Sequence, residues 1–237
     1  MGEWSKWEFG FEELPNSCFI FGGTSSPETI QSVISSFDTI IFHKHDNYEA
    51  YIVEKYSQKI LILFQVYGAA MVADLIFLLK DGGVKEIVFI GAAYGMEKQI
   101  AVGDFILPSR IQCLDGVAST LDNNEFSYPD AGLRTWVGKL FIENEISIWQ
   151  GDTVSVPTTF YHPSSDKYDR EVIALEMELA SLCHYAFKTG IKACGVLVVS
   201  DTENHSLLAD HELTNRNIIR AFQMIYESQA NVQRIEV

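Results

Sequence analysis

Residues 194–201 read CGVLVVSD, a run that is apolar until Ser200 and Asp201. A β-strand that is buried on both faces has this pattern, and the run is too short for a buried helix. Ligands of open α/β sheets bind beyond the carboxyl ends of such strands. Ser200 and Asp201 are therefore predicted to lie at a binding site, although Asp201 would also suit the start of a turn into the following TENHSL.

Similar short runs recur along the chain, with helical patterns between them. The predicted strands are rich in Ile, Val and Phe and comprise 17–23, 37–43, 49–56, 59–66, 85–92, 103–112, 146–156 and 191–201. Apolar residues recur at intervals of three and four over 69–81, 130–142, 177–188 and 209–229, which predicts helices. This alternation predicts an α/β fold with a largely parallel or mixed sheet. The polar segment 115–132 is predicted to be a long loop.

Composition and charge narrow the class of protein. The 237 residues are 47% hydrophobic and 21% charged, which is typical of a compact globular protein and predicts a single domain over residues 1–237. Lys and Arg number 17 against 32 Asp and Glu, so the net charge is −15. Nucleic acid is therefore not expected as a partner, because its binding relies on basic side chains.

Neither a membrane segment nor a metal site is predicted. The apolar stretches are interrupted before the roughly 18 residues of a membrane span, and the N-terminal stretch lacks the apolar region of a signal peptide. We therefore expect a cytoplasmic protein without membrane contact. The cysteines have no CxxC spacing, so we expect neither disulfides nor a metal centre; they are Cys18, Cys113, Cys183 and Cys194.

Four segments together resemble the purine nucleoside phosphorylase and uridine phosphorylase family. They are IGAAYGMEKQIAVGDFILPS (90–109), TTFYHPSSDKYD (158–169), LEMELASL (175–182) and VLVVSD (196–201). The first is similar to the glycine-rich turn of the family, and the third to its Glu-Met-Glu signature. The resemblance extends over nearly the whole chain and implies a three-layer α/β/α fold with a central mixed, partly barrel-like β-sheet.

The resemblance also implies an activity. Members of this family are pentosyltransferases that cleave the N-glycosidic bond of a purine nucleoside or uridine with phosphate, giving the free base and ribose 1-phosphate. Their active sites are completed across subunit boundaries, which implies a homo-oligomer, either a dimer or a hexamer of dimers. Phosphate is the implied co-substrate, and no metal or organic cofactor is implied.

Residues 176–178 resemble the part of the family's site that holds ribose. The resemblance implies that Met177 packs on the sugar, that Glu178 accepts hydrogen bonds from the 2′- and 3′-hydroxyls, and that Glu176 lies nearby. An ionised carboxylate suits this role, because it only accepts hydrogen bonds and a vicinal diol offers two donors. It would also stabilise the positive charge of an oxocarbenium-like transition state. The alternative is that both glutamates favour the dipole of a helix that begins here.

Three residues match the part of the family's site that contacts the base. Asp201 matches an acid that protonates a leaving purine. Phe160 and Tyr161 match an aromatic pair beside the base, where stacking contributes roughly 1–3 kcal/mol, although Phe160 would also suit core packing. The segment CLDGVAS (113–119) is similar to the uridine branch instead, so the identity of the base stays open.

The chain departs from the family at the phosphate site. In GGTSSPE (22–28), Ser26 or Pro27 stands where the family has an arginine. Phe89 replaces a second arginine, and Ala92 replaces a Ser or Thr. A candidate anion site remains, formed by backbone N–H groups and hydroxyls, with Lys44 as a candidate charge; its residues are Gly23, Ser25, Ser26 and Ala92.

Two further activities are therefore open. A nucleosidase would use water in place of phosphate, with Glu28 as the candidate base, although Glu28 after Pro27 would also suit the first turn of a helix. A protein that binds nucleosides without turnover is the third alternative. His205 and Arg216 follow Asp201; Arg216 matches a family arginine that assists the aspartate, or both are solvated surface residues.

Overall fold

The structure is a computed structural model that describes residues 2–23, 25–160, 171–205 and 211–235. Helices and strands alternate along these residues. The helices are α1 (Glu3–Phe9), α2 (Pro27–Ile34), α3 (Ala69–Asp81), α4 (Ala118–Leu121), α5 (Ala131–Glu143), α6 (Leu179–Thr189) and α7 (His211–Ile235). The strands are β1 (Ser17–Gly22), β2 (Thr39–His45), β3 (Glu49–Lys55), β4 (Gln58–Val66), β5 (Glu86–Gly95), β6 (Phe105–Cys113), β7 (Phe126–Ser127), β8 (Ile148–Ser155), β9 (Val172–Glu176) and β10 (Lys192–Thr202).

A single mixed sheet contains these strands, in the order β10-β6-β8-β9-β5-β1-β4-β3-β2, with β7 paired to β6. Strand β1 is parallel to both β4 and β5, and β10 is parallel to β5. Strands β2, β3 and β4 form an antiparallel meander. Because β10 pairs with both β5 and β6, strands β5, β9, β8, β6 and β10 close into a five-stranded ring.

Helices cover both faces of the sheet. Helices α1, α3 and α6 bury apolar side chains in one core cluster, and α2, α5 and α7 bury theirs in a second cluster on the opposite face. Strand β4 shows why two cores form: Leu61 and Leu63 belong to the first cluster, whereas Ile60 and Ile62 belong to the second. Successive side chains of a strand point to opposite faces, so an uninterrupted apolar strand needs helices on both sides. The predicted three-layer fold with a partly barrel-like mixed sheet is confirmed.

Sequence periodicity did not predict the shortest helices and the shortest strand. The segment 115–132, predicted to be a loop, contains α4, β7 and the first residues of α5. Helices α1 and α2 were also not predicted, since helices of one or two turns contain too few residues to show a 3.6-residue period. The predicted helix 177–188 begins at Leu179, because residues 176–178 form the turn that leads into α6.

Three observations concern the remaining expectations. None of the helices that the structure describes is both long and apolar enough to cross a lipid bilayer. The four cysteines are all buried and free. Within the described ranges, no group of three side chains is arranged to hold a metal ion.

Candidate functional site

A cavity of about 250 Å³ lies where several strands reach their carboxyl ends. Its walls are formed by the last residues of β1, β5, β9 and β10, by the start of α6 and by the first two turns of α7. Ser200 and Asp201 lie in the wall, at the polar end of the buried strand. The lining residues are Phe21, Gly22, Gly23, Ser25, Thr29, Tyr67, Ile90, Ala92, Ala93, Tyr94, Val156, Thr159, Leu175, Glu176, Met177, Glu178, Ser200, Asp201, His211, Thr214, Asn215 and Ile218.

Glu178 is a buried carboxylate at the N-terminus of α6, where it is the N-cap residue. Its side chain lines the cavity, and the residue is 5% exposed. The backbone N–H of Gly68 donates to Glu178 Oε1 at 2.7 Å. A carboxylate has about four acceptor positions, so this contact leaves positions for the donors of a ligand.

The protonation of Glu178 depends on what fills the cavity. Burial, together with the negative charge of Glu176, raises the pKa of Glu178 to about 8. Hydrogen bonds donated to a carboxylate favour its ionised form. A ligand that donates hydrogen bonds here would therefore lower the pKa of Glu178 again.

Glu176 makes its hydrogen bonds to the protein itself. Its Oε2 accepts from the backbone N–H groups of Glu178 (2.7 Å) and Leu179 (2.6 Å). Its Oε1 accepts from Ser155 Oγ, which in turn accepts from the N–H of Ala180 at 2.8 Å. The first N–H groups of a helix have no partner within the helix, so Glu176 and Ser155 together cap α6. These contacts hold the turn that carries Glu178.

Burial and hydrogen bonding act on Glu176 in opposite directions. Burial is the largest effect and raises the pKa of Glu176 to about 7, although the donors from Ser155, Leu179 and Glu178 lower it. Glu176 and Glu178 are therefore two adjacent buried carboxyl groups, of which one is satisfied by protein donors and the other retains acceptor positions at the cavity.

A β-bulge precedes Asp201, which lies in the cavity wall. The register of β10 with β5 shifts between Val199 and Asp201, so that Asp201 pairs with Tyr94. Bulges re-aim side chains at the ends of strands. The buried Ser200 donates from Oγ to Asp201 Oδ1 at 2.6 Å, which fixes the orientation of the half-buried carboxylate.

Apolar and aromatic groups also line the cavity. Met177 is 9% exposed and packs in a small cluster with Val156, Leu175 and the half-buried Tyr94. Methionine adapts its shape to irregular apolar surfaces. Tyr67, which follows β4, adds a second tyrosine to the lining. The cavity thus combines the carboxyl groups of Glu178 and Asp201 with an apolar surface.

The sequence matches the family model described as "Phosphorylase superfamily" over residues 19–229. The chain belongs to this superfamily. The resemblance drawn from four sequence segments is thereby confirmed. A DeoD-type purine nucleoside phosphorylase of Bacillus cytotoxicus is 29% identical over 131 residues, which are 52% of this chain and 55% of that relative. The chain thus spans about half the length of the curated relatives it matches.

Solved structures with the superfamily fold include both phosphorylases and nucleosidases. The purine nucleoside phosphorylase of Toxoplasma gondii, solved with immucillin-H, has a TM-score of 0.79 at 17% identity and covers 94% of this chain and 93% of that chain. The 5′-methylthioadenosine/S-adenosyl homocysteine nucleosidase of Campylobacter jejuni has a TM-score of 0.75 at 15% identity and covers 91% of this chain and 99% of that chain. The fold of the phosphorylase superfamily therefore does not by itself distinguish phosphate from water as the acceptor.

The structure does not bring Phe160 to the cavity. Its side chain is 93% exposed, whereas its neighbour Thr159 lines the cavity. Tyr161, the other residue expected beside the base, lies outside the described residues. Stacking by Phe160 and Tyr161 stays a prediction; among the described residues, the aromatic rings that face the cavity are those of Phe21, Tyr67 and Tyr94.

The residues predicted to form an anion site are divided between two places. Gly23, Ser25 and Ala92 line the cavity, but Ser26 does not. Ser26 is instead the N-cap of α2, where its Oγ accepts from the N–H of Thr29 at 3.2 Å. The N–H of Gly23 already donates to the carbonyl of Val66 at 2.8 Å, so it is not available to an anion. The structure thus offers fewer hydrogen-bond donors to an anion than the sequence predicted.

Glu28 does not reach the cavity. Pro27 begins α2, and Glu28 lies in its first turn, exposed to solvent. Its own backbone N–H and the Ser26 hydroxyl lower the pKa of Glu28, as is usual for an acidic residue at a helix N-terminus. Glu28 lines a groove outside the cavity. Its position is that of a residue in the first turn of a helix, which was the alternative that the sequence left open.

Phe89, which stands where the family has an arginine, and Lys44, the candidate charge, are both engaged in contacts within the protein. Phe89 is fully buried, and its ring fills the space that side chains at 22 and 91 would need: a Cβ on Gly22 would lie 2.1 Å from Phe89 Cζ. A cation at position 89 would therefore not face the cavity in this packing. Lys44, at the edge of the sheet, pairs with Glu8 and lies 3.3 Å from Asp46.

Several lining residues were not predicted from sequence. Thr29 is buried on α2, and His211, Thr214 and Asn215 lie on the first turns of α7. His211 and Asn215 are hydrogen-bonded, with Nδ1 and Nδ2 3.1 Å apart. Their spacing of one helical turn is a signal that could have identified them. By contrast, His205 is exposed in a tight turn with Thr202 and does not line the cavity.

Proposed function

We propose that this protein cleaves the N-glycosidic bond of a ribonucleoside in the cavity between Glu178 and Asp201. The observation that carries the proposal is that one cavity is lined by a buried carboxylate with acceptor positions to spare, by a second carboxylate on another strand, and by Met177. The two carboxylates then act on the two halves of a nucleoside.

Glu178 would hold the ribose. The 2′- and 3′-hydroxyls are two donors on neighbouring carbons, and one carboxylate accepts from both. Gly68 holds Oε1 from the opposite side, and the cap formed by Glu176 and Ser155 fixes the backbone, so the group is held in place before the substrate binds. As the glycosidic bond breaks, the sugar gains positive charge, which an ionised carboxylate stabilises more than it stabilises the ground state.

Asp201 would assist the departure of the base. A leaving purine needs a proton on its ring nitrogen, and a carboxyl group within hydrogen-bond distance supplies it. Ser200 donates to Oδ1 of Asp201, which orients the other oxygen of this half-buried carboxyl group. The curated relatives act on purine nucleosides, which supports a purine as the base.

Phosphate is the acceptor that family membership supports, with free base and ribose 1-phosphate as the products. The protein would then be a pentosyltransferase. Its anion would be held by a hydroxyl that lines the cavity, such as that of Ser25. The reaction needs no metal or organic cofactor. A homo-oligomer in the cytoplasm, with sites completed between subunits, belongs to the same proposal.

Water is the second candidate acceptor, and the charge of the cavity favours it. Among the described residues that line the cavity there is no Lys or Arg. A phosphate carries nearly two negative charges and is usually held by bidentate arginines, so it would bind weakly in a protein of net charge −15. Hydrolysis would give free ribose.

The test is a single incubation of a nucleoside panel with and without phosphate. Release of base with ribose 1-phosphate supports phosphorolysis, and release with free ribose supports hydrolysis. The control is the Glu178→Gln protein, which keeps the size of the side chain but loses the charge. If no nucleoside releases its base while binding is measurable by calorimetry, the protein is a binding protein and the proposed activity is wrong.

A further inference from the structure

An outer groove between α2 and α7 adjoins the cavity. Thr29, His211 and Asn215 line both spaces, so these three residues lie between them. The groove continues along the two helices, past Ser26 and Glu28 on one side. A ligand in the cavity therefore lies next to this groove.

Two arginines of α7 line this groove. Arg216 and Arg220 are one helical turn apart, so their side chains lie on the same face of the helix. Both residues are exposed, and neither has a hydrogen-bond or ion-pair partner among the described residues. By contrast, Arg110 pairs with Asp152 at 2.6 Å, and Arg134 donates hydrogen bonds to Pro108, Ser109 and Gln150.

Unpaired arginines are unexpected in so acidic a chain. Asp and Glu outnumber Lys and Arg by 32 to 17, so acidic partners are abundant. The acidic residues that line the groove, Glu28 and Glu212, form no ion pair with either guanidinium. Two adjacent guanidinium groups are therefore left to bind an external anion, and their planar donors match phosphate oxygens.

The stereochemistry of a nucleoside indicates which of its groups lies on the side of the groove. Glu178 belongs to α6, whose layer lies on the opposite face of the sheet from α2 and α7. On the β-face of ribose, the base and the 5′-carbon both project away from the diol edge. With the diol at Glu178 on the α6 side, a group on the 5′-carbon lies on the face of the ribose away from the diol, and Thr29 and His211 of the α2–α7 side line both the cavity and the groove.

We propose that the groove binds an anionic group carried on the 5′-carbon, so that the preferred substrates are nucleosides with a 5′-phosphate or a similar anion. This inference rests on the proposed cleavage of a ribonucleoside. Arg216 and Arg220 hold the anion, and the reacting bond stays inside the cavity. Free phosphate has the same chemistry, so the test separates an anion attached to the substrate from phosphate in solution.

The experiment compares each nucleoside with its own 5′-monophosphate. For the wild-type protein, kcat/KM for the monophosphate is expected to exceed that for the nucleoside. Solvent weakens the ion pairs of exposed guanidinium groups, so the double variant Arg216→Gln/Arg220→Gln should lower the ratio of the two kcat/KM values by roughly 10-fold. The matched control is Lys139→Gln, an exposed cation on α5, which should leave the ratio unchanged.

A binding measurement keeps the test independent of turnover. Calorimetry should show that ribose 5-phosphate binds the wild-type protein more tightly than ribose does, and that the double variant loses the difference. Equal ratios in wild-type and double-variant proteins would overturn the inference while leaving nucleoside cleavage intact. If the double variant instead weakens only the dependence on free phosphate, the groove serves that ion and the 5′ assignment is wrong. Absence of base release from every substrate, with ribose 5-phosphate still bound through the arginines, would reject the proposed function and support the anion site.

Discussion

Two walls of the same cavity differ in how they are built. On the α6 side, Glu176, Ser155 and Gly68 fix the position of Glu178 through buried hydrogen bonds. On the α2–α7 side, the lining consists of small or exposed groups such as Ser25 and His211, and the described residues there include no cation inside the cavity. The α6 wall is therefore held by buried hydrogen bonds, whereas the α2–α7 wall lacks the basic side chains that usually hold a phosphate.

The difference has a physical explanation. Phe89 lies in the core, where its ring packs against Gly22 and Gly91, and it does not line the cavity. The cap of α6 constrains its residues strongly, because three backbone N–H groups depend on two side chains. Buried donors without partners cost about 1–3 kcal/mol each. Five measurements test the contrast between the two walls.

The largest expected effect is that of Glu178→Ala on turnover. This change removes two charge-assisted hydrogen bonds to the diol and the charge that stabilises the transition state, so kcat/KM should fall by about 10⁴-fold. Steady-state assays of base release measure the loss. The circular dichroism spectrum and the melting temperature of the variant serve as controls for folding. Activity within tenfold of the wild type would reject the assignment of the sugar site to the α6 wall.

Asp201→Asn should reduce activity less strongly. The amide cannot deliver a proton to a leaving base, and general-acid catalysis contributes at least about 10²-fold. The effect should shrink for a riboside whose leaving group departs without protonation, such as a nitrophenyl riboside. An equal loss on both kinds of substrate would indicate that Asp201 has a structural role.

Ser155→Ala tests whether the cap of α6 positions Glu178. The N–H of Ala180 loses its acceptor, and Glu176 loses a donor, so we expect roughly 1–3 kcal/mol less stability and a further decrease in activity of about tenfold. Thr153→Val is the matched control on the same strand. Thr153 is fully buried, and its hydroxyl has no hydrogen-bond partner among the described residues, so its removal should cost nothing. A loss of stability without any loss of activity would show that the cap does not position the carboxylate.

The pH dependence of stability should reveal the buried carboxyl group of Glu178. Its pKa rises from 4.5 to about 8 on folding, so the folded chain keeps a proton that the unfolded chain releases above pH 4.5. This contribution to stability is complete below pH 4.5 and is lost as the pH rises towards 8, at about 1.4 kcal/mol per pH unit. Urea unfolding between pH 5 and 8 should give a shallower slope for Glu178→Gln than for the wild type. Equal slopes would contradict the shift.

The smallest effect is expected on the other wall, from Glu28→Gln. The side chain is exposed in the outer groove, so activity on an unsubstituted nucleoside should change by less than about twofold. A loss of 10²-fold or more, which is usual for a catalytic base, would mean that Glu28 reaches the cavity when substrate binds. The acceptor side would then be better ordered than the structure indicates.

Much of the fold could be predicted from the sequence because buried strands and long helices have strong local patterns. The run 194–201 forms the end of β10, and its polar terminus lies at the cavity. Capping contacts were harder to predict from the sequence. The sequence shows that Glu176 is acidic, but its hydrogen bond with Ser155 joins two strands that are distant along the chain. Ser155 itself was not predicted, since nothing in the sequence places β8 beside β9.

The sequence by itself determined the alternation of strands and helices, membership of the phosphorylase superfamily and the two carboxylates on which the proposed chemistry depends. The tertiary structure alone decided which neighbours those carboxylates have. It directed Glu176 into a helix cap, left Glu178 with acceptor positions at the cavity, turned Glu28 outward and placed Arg216 and Arg220 along the groove. Local patterns record the periodicity of single elements, whereas hydrogen bonds between distant segments form only after the sheet has brought those segments together.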